Sequence, residues 1–314
     1  MSLIVVGSVA FDAIETPFGK TDKILGGAGT FISITASYFE KNPKLVSVVG
    51  YDFPKEYIDI LNQHSIITEG LQIKTDEKTF FWAGKYHTDM NIRDTLITEL
   101  NSLGTFNPIV PDSYQNSDFL MLGNLSPVVQ RKVIEQLKRK PKLIAMDTMN
   151  FWMNTAMDEL LKTLSLVDVL IINDEEARQL SGEYFLPLAA EKIFKMGPKY
   201  LIIKKGEHGA MLFGPSDSLF DKTEVFAAPA LPLSTVCDPT GAGDTFAGGF
   251  IGYLANCKEV SFEKMKTAVI VGSAMASFTV EGFGTTKIRE LNQMNIFERI
   301  GQFVKLTHFE TPQL

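Results

Sequence analysis

The segment DPTGAGDTFAGGF, residues 238–250, sets three small residues, Gly241, Ala242 and Gly243, between a strand-like stretch and the start of a helix. Without bulky side chains, their backbone N–H groups can converge on an anion, and the positive end of the helix dipole adds to its binding. Asp244 follows at once, close enough to take a proton from a hydroxyl attacking a phosphorus held there. The plainer reading is an ordinary helix start, with Thr240 as N-cap and Asp244 complementing the dipole. GAGD alone does not separate the two.

Outward from this segment, short apolar runs recur at residues 3–9, 45–49, 119–122, 143–146, 167–172 and 200–203. Each is too continuous for a half-exposed strand. Between them lie helical patterns such as residues 127–138, where Val128, Val129, Val133, Ile134 and Leu137 share a face and Arg131, Lys132 and Gln136 point away. The alternation predicts an α/β fold: a mostly parallel sheet covered on both sides by helices, three layers in all. Helices are expected over residues 241–255, 262–278 and 288–305. Two more polar stretches, about residues 13–24 and 71–100, carry strand character and suit a small β lid over the strand ends. Pattern alone leaves two surface hairpins equally open. Neither linker nor repeat is visible, so residues 1–314 are expected to form one domain.

The 314 residues are 45% hydrophobic, enough for a large core, and the formal net charge of −7 argues against a nucleic-acid polymer as partner. Cys237 and Cys257 have neither disulfide nor zinc spacing, and a reducing cytoplasm is the expected location. The longest apolar stretch, residues 268–280, is short of a membrane span, and the N-terminus reads as a buried strand. His64, His87, His208 and His308 are scattered.

At nearly every informative position, residues 238–250 resemble the C-terminal signature of the PfkB, or ribokinase-like, family of carbohydrate and nucleoside kinases. The resemblance implies a ribokinase-like fold, ATP and Mg²⁺ as cofactors, Asp244 as catalytic base and Gly241–Gly243 as the anion hole. It also implies an aspartate closing the first strand to grip substrate hydroxyls, met by Asp12 in GSVAFD, and a glycine pair beside the substrate, met by Gly26 and Gly27. The family's usual asparagine on the following helix is replaced here by Phe31, so plain ribose specificity is not expected.

Further matches assign Asn173 and Glu176 of LIINDEEARQL to the phosphates and, through water, to Mg²⁺. Their plain alternative is a helix cap. Lys204, Gly206 and Gly209 of KKGEHGA match the nucleotide turn, and Thr240, Ser273 and Gly284 fall on the nucleotide side. Asn124 falls on the substrate side. Asp147 and Asn150 fall at a DxN-type strand end, Asp52 in a structural VGxD turn. K⁺ near Asp238 is a candidate activator, and homodimerisation through the lid is common in the family.

The expected function is transfer of the γ-phosphoryl group of ATP to a hydroxyl, a CH₂OH first, of a sugar or sugar-like compound. A nucleoside acceptor on the same fold is the close alternative, with Phe80, Phe81 and Trp82 either stacking a base or filling the lid. A sugar- or nucleotide-binding protein without turnover is the alternative of another class. No GxxxxGK[ST], first-turn GxGxxG or GxSxG string supports other chemistries.

Overall fold

In a computed structural model, which describes residues 2–216, 223–257, 259–308 and 310, the apolar runs assemble into a nine-stranded sheet. Its strands, numbered along the chain, are β1 (Leu3–Val6), β5 (Lys44–Val49), β6 (Ile67–Ile73), β9 (Phe119–Leu122), β10 (Leu143–Asp147), β11 (Val169–Asn173), β12 (Tyr200–Lys204), β13 (Ala210–Pro215) and β14 (Thr223–Ala228). The order is β14-β13-β12-β11-β10-β9-β1-β5-β6, parallel except for β13 and β14, which add antiparallel at one edge.

Alternate residues of one strand feed opposite cores: Leu3 and Val5 join one apolar cluster, Ile4 and Val6 the other. This is why the runs lack a polar face. Helices Ala28–Ser37, Ala242–Cys257 and Phe262–Thr279 cover the first side, and Pro127–Gln136, Met157–Leu164, Asp174–Ser181 and Leu186–Phe194 the second. The expected three-layer α/β architecture is present.

A second sheet of five strands holds β2 (Ala10–Thr16), β3 (Gly19–Lys20), β4 (Ile24–Gly26), β7 (Phe81–Tyr86) and β8 (Arg93–Glu99). Its boundaries correct the sequence reading. Residues 71–73 belong to β6 of the main sheet, paired with β5. The first strand does not run to Val9. The chain bends at Gly7, where a β-carbon would stand 2.5 Å from Gly29 N, and the Ser8 hydroxyl accepts from Ala28 N at 3.0 Å. Asp12 therefore lies in a lid strand, not at the end of β1.

The expected helix over residues 288–305 is broken in two, Thr286–Arg289 and Gln293–Thr307, because Asn292 and Asn295 form a reciprocal capping box that starts the second. Among the described residues no helix is long and apolar enough to cross a membrane.

Candidate active site

Parallel strands aim their carboxyl ends at one edge of the sheet, and the candidate residues gather there. Gly241 adopts φ +77°, a conformation open to glycine, and turns the chain into helix Ala242–Cys257. The first helical bond at this end runs from Thr245 N to Gly241 O at 2.8 Å, so the N–H groups of Gly243 and Asp244 precede the ladder. The small-residue turn and Asp244 are contiguous in space as in sequence.

Asp147 at the end of β10, Asn173 at the end of β11 and Lys204 at the end of β12 face this turn across the sheet. The Lys204 ammonium sits against Gly243, where a β-carbon would come within 2.9 Å of Nζ, and 3.5 Å from Asp147 Oδ2. Burial pushes the Lys204 ammonium down, but Asp147, Glu176 and Asp244 together raise its pKa above the ordinary value, so it stays charged. Burial, then the Asp147 carboxylate, raises Asp244 from 3.8 to about 7 against the opposing charges of Lys204 and Arg93. Burial likewise brings Asp12 to about 7, and burial with Asp147 brings Glu176 to about 7.

A cleft of about 930 Å³ runs along these residues. Gly241, Ala242, Gly243 and Asp244 line its floor, with Asn173, Glu176 and Lys204 beside them. Gly206 and Gly209 of the turn expected to take the nucleotide, Ser273 of helix Phe262–Thr279, and Asn124 also border it. Asn124 is engaged on both sides: its Oδ1 accepts from Trp152 Nε1 at 3.0 Å and its amide reaches Met149 Sδ.

Asn173 and Glu176 form a capping box on helix Asp174–Ser181, with Glu176 Oε2 accepting from Asn173 N at 2.8 Å and Asn173 Oδ1 from Glu176 N at 2.7 Å. The capping reading holds, and the same residues line the cleft.

Six of the predicted residues, Asp12, Gly26, Gly27, Asp238, Thr240 and Gly284, stand outside that lining. Asp12 accepts from Gly27 N at 3.4 Å and packs on the α-carbon of Gly26, which has no room for a side chain. Asp238 is fully buried, with Oδ1 accepting from Thr240 N at 2.8 Å and Oδ2 from Gly284 N at 2.9 Å. It ties the turn to the loop after helix Phe262–Thr279. Gly284 packs against Ile24 of β4. Thr240 gives its hydroxyl to the lid, donating to the Tyr86 oxygen at 3.2 Å.

Phe31 is buried against Gly241 rather than open to the cleft. The lid aromatics are packing residues too: Phe81 lies under Lys23, and Trp82 carries the Arg93 guanidinium 5.5 Å from its ring centre. Asp52 accepts from Thr79 N at 2.7 Å and holds the turn before the lid.

Sequence reading missed Arg93. It lines the cleft from β8, and its charge lowers the pKa of Asp12, Glu176 and Asp244. Its signal, one arginine in a polar strand, carries no motif. Gln130 was missed as well; fully buried, its Nε2 donates to Gly123 O at 2.9 Å and Asp147 O at 3.0 Å, fixing two strand ends.

The family model for pfkB carbohydrate kinases matches residues 2–291. The chain belongs to the pfkB family. Over 276 residues this pfkB kinase is 28% identical to a cytidine kinase of Thermococcus kodakarensis, covering 85% of the chain and 95% of the relative. A nucleoside kinase of Methanothermobacter thermautotrophicus is 24% identical over 99% of the chain and 98% of its own length. In structure the pfkB fold is shared with the nucleoside kinase of Methanocaldococcus jannaschii, a ribokinase-family member, at TM-score 0.77 and 22% identity, over 96% of this chain and 98% of the other.

Proposed function

We propose that this pfkB kinase transfers the γ-phosphoryl group of ATP to a hydroxyl of a nucleoside or free sugar, with Asp244 as the base. The observation that carries the reading is the turn itself: Asp244 opens a helix directly after Gly241–Gly243, and Lys204 stands against the same turn. An acceptor hydroxyl beside Asp244 loses its proton to the carboxylate as its oxygen bonds to phosphorus and the bridge to ADP breaks. The N–H groups of Gly241, Gly243 and Asp244, with Lys204 and Arg93, offset charge on the equatorial oxygens.

The donor set suits Mg²⁺, which takes few protein oxygens: Glu176 spends one oxygen on the cap, and Asp147 lies beside it. These two would hold the ion through water, and it would supply charge neutralisation at the phosphates. Asn173, Gly206, Gly209 and Ser273 border the nucleotide; Asp12, Gly26, Gly27 and Asn124 border the acceptor. The cytidine and nucleoside kinases among the relatives favour a nucleoside over the free sugar expected from sequence, and buried Phe31 removes the usual sugar-bonding asparagine. A K⁺ ion near Asp238 and a cytoplasmic setting are parts of the same reading.

Pairing of two copies is expected through β8, an edge of the lid sheet with Leu96 56% and Ile97 45% exposed. Light scattering at the monomer mass would rule this pairing out.

The deciding experiment is an ATP-coupled kinase screen over nucleosides, pentoses, hexoses, sugar phosphates and inositols, with and without K⁺, run on wild type and Asp244→Asn. Transfer by wild type and its loss in the variant with ligand binding retained is the expected result. No ATP consumption with any acceptor would favour a binding protein.

A further inference from the structure

We propose that Tyr86 is a positioning residue that carries closure of the β lid to the phosphoryl-transfer turn through its hydrogen bond to Thr240. The inference rests on the phosphotransfer reading of residues 241–244 and goes beyond it, because Tyr86 belongs to neither the turn nor the cleft lining.

Tyr86 ends β7 and Arg93 begins β8, and the two are cross-strand partners. The Tyr86 ring is 5% exposed, and Thr240 is buried with it. The phenol oxygen accepts from the Thr240 hydroxyl at 3.2 Å. Thr240 directly precedes Gly241, and its own N–H is fixed by Asp238. One oxygen therefore joins the lid hairpin to the residue before the anion hole, and its cross-strand neighbour Arg93 borders the same cleft as Asp244.

The hairpin tip leans on the other half of the cleft. Asn91 Oδ1 would stand 2.5 Å from a β-carbon on Gly206, in the turn read as nucleotide-binding. Nucleotide at that turn and a closed lid at Thr240 thus bias the same hairpin. A lid that closes without this bond leaves the turn less well held and the cleft more open to water.

Tyr86→Phe keeps the ring and removes the oxygen's contact. Loss of one neutral hydrogen bond predicts a kcat about five- to tenfold lower, KM for both substrates within about twofold, and more ATP hydrolysis relative to transfer. Thr240→Val should give the same loss, the double variant no more than either single one, and Thr240→Ser nearly wild-type kcat. Additive losses, or a loss confined to KM with kcat intact, would overturn the proposal.

A second readout needs no turnover. Hydrogen exchange of residues 87–92 should slow on adding ATP and Mg²⁺ to wild type and slow much less in Tyr86→Phe; equal protection in both sinks the idea. If wild type phosphorylates nothing in the screen yet shows this difference, the function assignment fails and the lid coupling stands.

Discussion

The ring of Phe31 occupies the space beside Gly241 that a side chain would need: Cε1 and Cε2 would each lie 2.5 Å from a β-carbon there. With φ at +77°, Gly241 is constrained by its backbone and by its neighbour at once. Phe31 thus serves the turn from below, and its replacement of the usual asparagine is a matter of packing.

Gly241→Ala is expected to cost about 2–4 kcal/mol, part from the left-handed backbone and part from the clash with the ring. Thermal unfolding measures the stability loss, and the kinase assay should show near-complete inactivation. Wild-type stability would show that the turn relaxes freely.

Phe31→Asn should not create ribose kinase activity. It places an amide at a position 1% exposed, removes a core ring and is expected to destabilise by about 3 kcal/mol. A stable variant with a gained preference for ribose would contradict the packing role.

Asp244→Asn should lower kcat by about a thousandfold or more while nucleotide affinity, read by calorimetry, changes little. As the proposed base, Asp244 works ionised, and burial with the neighbouring Asp147 charge pushes its carboxyl up to about 7. Activity, as kcat/KM, should therefore rise from pH 6 to pH 8. Asp12 and Glu176 titrate near the same value, so the limb belongs to the cluster. A flat profile over this range would argue against a raised base.

The same carboxyl makes a stability prediction. Its folded pKa is raised from 3.8, so the stability it lends the fold is present below about pH 4 and lost as pH rises through about 7. Asp244→Asn should be more stable than wild type at pH 8, on the order of 1–3 kcal/mol, with the gap narrowing towards pH 5. Denaturant melts at the two pH values test this; a gap that widens on acidification reverses the sign.

Lys204→Met should destabilise by about 3 kcal/mol, since it leaves Asp147 buried without its cation, and adding Asp147→Asn should recover part of the loss. ATP turnover should stay low in both. Full additivity of the two stability losses would show that the pair is not coupled.

Continuous apolar runs and helical periodicity determined the alternating strands and helices, because backbone geometry repeats every two or 3.6 residues and leaves its period in the sequence. The small-residue turn and its aspartate were legible for a similar reason: Gly241, Ala242, Gly243 and Asp244 are contiguous in the sequence. The break at Asn292 was also local, yet it lay in side-chain capping that periodicity does not register. Tertiary structure alone decided which residues serve that turn. Phe31 beneath Gly241, Lys204 held by Asp147, Arg93 in the same cleft as Asp244 and Tyr86 on Thr240, 154 residues away, all depend on tertiary assembly. Those pairings form only when distant strands, helices and turns come together, and no single stretch of sequence contains both partners.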